Sequence, residues 1–153
     1  MTRRHVIAVV VALLAMSAVL LPPLWVRATG DEVTLAIRPV DPLSLFRGNY
    51  VDLRYDVELP REMPNLDRAV YAVFADERPG RLLRVVEDRP DLDDGEFCIR
   101  GRAEYGSMSF PQLEQFFVTP ERGRELESRL NEMVAVLKVT SRCRAVLVDI
   151  ELR

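Results

Sequence analysis

From Val6 to Val26 every side chain but Ser17 is apolar and none is charged. A helix over that run is about 31 Å long, close to the thickness of a bilayer's hydrocarbon core. Arg3 and Arg4 precede it and only Arg27 follows closely. Positive charge stays on the cytoplasmic side, so the N-terminus is expected inside and the rest of the chain outside. Trp25 stands at the exit, where an amphipathic aromatic suits the membrane interface. Pro22 and Pro23 come one turn earlier, where a break in the helix is tolerable. An uncleaved anchor is the favoured reading. A signal peptide, with its apolar stretch at 6–21 and a site at Val26-Arg27-Ala28, is the second. A buried core helix is the third, and the missing polar face speaks against it. Anchor and signal peptide both export the body, which divides the chain into 1–27 and an extracytoplasmic, periplasmic-type domain at 28–153.

Beyond a short polar linker at 28–32 the period changes to two. Val33, Leu35 and Ile37 alternate with Thr34, Ala36 and Arg38, the signature of a half-buried strand. Pro39 ends it. Asp41-Pro42 reads as a helix cap and first-turn proline, with a helical turn at 42–46 closed by Gly48. The cleanest strand follows. Val51, Leu53, Tyr55 and Val57 face one way, while Tyr50, Asp52, Arg54 and Asp56 face the other. Further strands are expected at Val70–Phe74, Leu82–Val86 after a Pro79-Gly80 turn, and Phe97–Ala103, with an acidic loop at 88–96 between the last two. Phe116 to Val118 form a short strand or packing knot. Thr119-Pro120-Glu121 looks like a helix start, running to about Met133. Val134–Val139 and Ala145–Leu152 read as a final hairpin. The sum is a mainly β (α+β) protein: one N-terminal transmembrane helix, then a small β-sandwich or barrel-like domain with one further helix.

The 153 residues suit one domain plus an anchor. Net charge is −3, and without Arg3 and Arg4 the body holds 19 basic against 24 acidic residues. A mildly acidic body argues against nucleic acid, and against charge-driven docking on anionic lipid. His5, the only histidine, lies in the N-terminal tail. A histidine-based catalytic dyad or a histidine-bearing zinc site in the body is thereby excluded. No metal site and no cofactor is expected. Cys98 and Cys143, placed in an oxidising exterior, can form a disulfide or remain two separate buried thiols; spacing alone decides neither.

The segment from Gly30 to Tyr55, with Arg38-Pro-Val-Asp-Pro42, Phe46-Arg47 and Gly48-Asn-Tyr-Val-Asp-Leu-Arg-Tyr55, resembles the bacterial GDYXXLXY family. Tyr105-Gly106, Phe117, Pro120-Glu121 and Glu125-Leu126 resemble its weaker second half. The resemblance covers nearly the whole chain, with residues 38–55 its specific part. It implies a membrane-anchored protein without an assigned molecular function, and it carries over no catalytic residue. The chain departs from the motif at Asn49, where the family has aspartate. Asparagine cannot serve as a general acid or base but can hold a turn, so the departure favours a structural role there.

Asp41, Arg47, Asn49, Tyr50, Asp52 and Arg54 form the candidate partner-binding surface, on which the arginines would take a carboxylate or carbonyl and Tyr50 would supply an amphipathic contact. The competing and simpler reading pairs Arg47 with Asp41 or Asp52 merely to lock the loop. Pro42, Gly48, Leu53 and Tyr55 belong to the motif as structural positions, Tyr55 in the core with its hydroxyl seeking a partner. Gly106 to Leu113 is similar to the Ser-Met-x-Pro segment of signal peptidases, with Ser107 as nucleophile and Lys138 as base, but one residue is inserted and the order along the chain is reversed. That string is expected to be a solvated loop. Asp91, Asp93, Asp94 and Glu96 around Gly95 miss the spacing of a calcium loop and read as a solvated acidic turn. The expected function is a non-enzymatic, membrane-tethered accessory domain that binds or stabilises a membrane or envelope partner. An envelope hydrolase, of Ser/Lys or paired-carboxylate type, is the alternative, and a self-associating scaffold the third possibility.

Overall fold

In the computed structural model, which describes residues 3–38, 50–55, 57, 68–104, 107–119, 121–122, 129 and 132–152, the apolar N-terminus is one helix, α1 (Arg3–Thr29). It runs through Pro22 and Pro23 without ending and is about 40 Å long. Only Val26 is buried. The helix is therefore long and apolar enough to span a bilayer or to act as a signal sequence, and the core-helix reading is overturned by its exposed faces.

The polar linker expected at 28–32 is absent. The α1 C-terminus is closed by the Gly30 N–H donating to the Val26 carbonyl (2.8 Å) and by the Thr29 hydroxyl donating to the Trp25 carbonyl (2.9 Å). Strand β1 (Asp31–Arg38) begins at the next residue. A Cβ on Gly30 would lie 2.7 Å from the Val26 oxygen and 2.9 Å from the Val139 nitrogen. Only glycine lets the helix end pass this close to the sheet backbone.

Ten strands follow among the described residues: β1, β2 (Tyr50–Asp52), β3 (Arg54–Tyr55), β4 (Arg68–Ala75), β5 (Arg81–Val86), β6 (Glu96–Glu104), β7 (Ser107–Ser109), β8 (Gln115–Phe117), β9 (Met133–Val139) and β10 (Ala145–Leu152). All pairings are antiparallel. One sheet has the order β10-β9-β1-β3, the second β5-β4-β6-β7, and β2 pairs with β8 in a two-stranded ribbon. The Met108 N–H donating to the Val57 carbonyl (3.4 Å) joins the edges of the two large sheets, and the Gly80 N–H reaches the Thr34 carbonyl (2.7 Å). The result is a curled half-barrel around one core.

That core takes Val33, Leu35 and Ile37 from β1 and Ala135, Leu137 and Val139 from β9, facing Ala72, Phe74, Phe97 and Ile99 from β4 and β6. The period-two reading of β1 holds, except that Thr34 on its other face is also buried and its hydroxyl has no hydrogen-bond partner among the described residues. The near-continuous apolar run of β4 has a direct cause. Ala72 and Phe74 face the main core, while Val73 packs with Cys98 and Cys143 on the opposite face. A central strand covered on both sides has no polar face to show.

A further expectation needs correction. Of the string 106–113, residues 107–113 are not a solvated loop: β7 pairs with β6, and Phe110 and Leu113 are fully buried. Their burial in a turn has no strand or helix period to announce it. The helix expected from Thr119-Pro120-Glu121 to about Met133 gives way by Met133, which opens β9. Glu121 and Arg122 are helical, and most of that segment lies outside the described residues.

Candidate functional site

The motif strand gains its position from its alternating pattern. Leu53, Tyr55 and Val57 are buried and Arg54 is exposed. One chain segment serves two partners. Residues 50–52 pair with 115–117 of β8, the Leu53 N–H donates to the Glu114 carbonyl (2.7 Å), and residues 54–55 then pair with 37–38 of β1. The strand is thus a splice between the ribbon and the first sheet.

Tyr55 anchors the splice. Its ring meets Phe110 edge-on, with centroids 5.5 Å apart, and its hydroxyl donates to the Leu113 carbonyl at 2.8 Å. Burial, followed by the nearby Glu114 carboxylate, raises the phenol above its ordinary range. It is a hydrogen-bond donor held neutral in a core, as expected of the apolar face, and not a proton-transfer group.

Of the candidate partner-binding residues, Asp41, Arg47 and Asn49 lie outside the described residues, as do the motif positions Pro42 and Gly48. Tyr50 and Asp52 are placed by backbone register opposite Phe117 and Gln115. Arg54 is on the surface. The segment expected as a short strand or packing knot is a strand, β8, and it adds a residue to the surface. Phe116 packs on the core, but Phe117 is 61% exposed. Alternation within Gln115–Phe117 was the available signal, hidden by three successive apolar side chains.

The other candidate chemistries are engaged differently. Lys138 sits in β9 opposite Glu32, with its ammonium 3.5 Å from that carboxylate. The acidic turn is organised by an arginine. Arg84 Nη1 and Nη2 donate to Glu96 Oε1 and Oε2 at 2.6 and 2.8 Å, and the Asp93 N–H adds a third contact at 3.2 Å. The Arg84 hydrogen bonds hold the Glu96 carboxyl below its ordinary range against the opposing effect of desolvation. The same hydrogen bonds raise Arg84. Among the described residues no three His, Cys, Asp or Glu side chains gather in a metal-binding group.

Cys98 and Cys143 are joined in a disulfide, with Cα atoms 4.7 Å apart. It ties β6 to the β9–β10 turn, where Cys143 takes a left-handed conformation (φ 58°). The Arg100 N–H donating to the Cys143 carbonyl (2.9 Å) reinforces the tie.

No curated protein and no solved structure matches the chain. The family model described as GDYXXLXY protein matches residues 12–150, from within the apolar helix to the last strand. Its namesake motif is the Gly48–Tyr55 segment whose second half splices the ribbon to the first sheet, and the chain belongs to the GDYXXLXY family.

Proposed function

We propose that the protein is a non-enzymatic accessory: α1 tethers the β domain outside the cytoplasm, and the domain binds or stabilises a membrane or envelope protein. The observation that carries this reading is Phe117, a large aromatic 61% exposed on a ribbon whose other strand belongs to the family motif. Outside α1 and among the described residues, only Leu83 joins it as an exposed large hydrophobic side chain. Exposed aromatic and arginine side chains are the types enriched in protein-binding hot spots, and the motif strand adds a surface arginine, Arg54, four residues beyond Tyr50, the register partner of Phe117. The apolar face of the motif builds the core, which leaves the outward face and the ribbon for recognition.

The test is site-specific photocrosslinking in the intact membrane, with the photoreactive residue at position 117 of the full chain. A defined crosslinked envelope protein, lost when Arg54→Glu is added, is expected. Crosslinking to lipid alone, or no product from position 117, contradicts the assignment of this face.

A further inference from the structure

The chain is acidic overall, yet Arg100, Arg102, Arg142 and Arg144 lie together where α1 meets the domain. Two cavities flank the helix end there. One, of about 920 Å³, has Leu21, Leu24 and Trp25 on its helix wall and Arg142 and Arg144 of the β9–β10 turn on the other. The second, about 620 Å³, lies beside Pro22 and Pro23 and is lined by Arg100, Arg102 and again Arg144. Among the described residues, four arginines thus line the pair of cavities, against one carboxylate, Asp31. Arg142 and Arg144 are exposed and make no side-chain hydrogen bond or ion pair among the described residues.

We propose that this cleft seats the headgroup of an anionic phospholipid, with Arg142 and Arg144 on its phosphate and its acyl chains along Leu21 and Trp25. The inference rests on the reading of α1 as a membrane span. Charge complementarity and continuity with the bilayer select this occupant over an acidic protein. The apolar wall of the cleft is the spanning helix itself, and Trp25, 68% exposed, stands at the level of the headgroups. A guanidinium matches phosphate oxygens two at a time, and a lipid is the phosphate already held at this depth. Net charge, which argued against docking on anionic lipid, averages over the molecule what the fold separates; the attraction depends on charge within a Debye length of the surface.

Trp25 is the only tryptophan, so its fluorescence reports on the cleft alone. The full chain is placed in phosphatidylcholine nanodiscs containing brominated phosphatidylglycerol or brominated phosphatidylcholine at equal mole fraction. Quenching is expected to be stronger from the brominated phosphatidylglycerol by about twofold or more, and to become equal for the two lipids in Arg142→Glu/Arg144→Glu or at high salt. Equal quenching of the unmodified chain overturns the headgroup site while leaving the span intact. Absence of quenching by either lipid overturns the span, and the site with it. A preference that survives both the double substitution and high salt overturns the assignment to these arginines.

Discussion

Leu53 and Tyr55 are the motif's buried side chains among the described residues. Leu53 is fully buried, so Leu53→Ala is expected to cost about 2–5 kcal/mol of folding free energy through lost burial and the cavity left behind. Tyr55→Phe keeps the ring but leaves the Leu113 carbonyl without its donor, a cost of about 1–3 kcal/mol. Urea unfolding of the full chain in detergent checks both; a neutral Tyr55→Phe would contradict the geometry. Glu96 makes a pH-dependent contribution. Its carboxyl lies below its ordinary value near 4.5, so its stabilising effect is complete above that value and is lost as pH falls through the lowered one. Thermal midpoints of the unmodified chain and Glu96→Gln should differ at pH 7 and converge as pH falls through the lowered value. A gap that widens in acid would reverse the sign and refute the pairing.

Between elements, the disulfide is the covalent tie, and two substitutions remove it. It closes a separation of 45 residues between β6 and the β9–β10 turn. In the loop-entropy account its loss through Cys98→Ala/Cys143→Ala destabilises by about 4 kcal/mol, read as a lower urea midpoint. Reduction of the unmodified chain should produce a similar shift, and no shift on reduction would show the tie to be idle. At this scale the sequence was legible wherever a period survived. Val33, Leu35 and Ile37, like Leu53, Tyr55 and Val57, recur every second residue because they face the core, and the final hairpin is bounded by a polar turn. It was not legible where burial had no period. Phe110 and Leu113 enter the core from a turn, Gly30 replaces a linker because the helix end passes against the Val139 backbone, and Phe117 hides outward in an apolar triplet. The candidate surface shared that limit. The apolar positions of the motif could be placed by alternation, whereas the splice between β8 and β1 depends on long-range pairing that no local pattern encodes.

For the whole molecule, three features agree. A helix uncharged from Val6 to Val26, and exposed except at Val26, leads without a linker into the half-barrel. The two cysteines of the chain are bonded to each other, the state that an oxidising compartment maintains. Arg3 and Arg4 precede the helix, and the positive-inside rule makes theirs the cytoplasmic end in the proposed topology. The central claim of the proposed function is that the helix holds the domain outside the cytoplasm. Paired fusions after Arg153 in a bacterial host test it most directly: alkaline phosphatase, which is active only once exported, and green fluorescent protein, which fluoresces when folded in the cytosol. Active phosphatase with a dark fluorescent fusion is predicted; a bright fluorescent fusion with inactive phosphatase would contradict it.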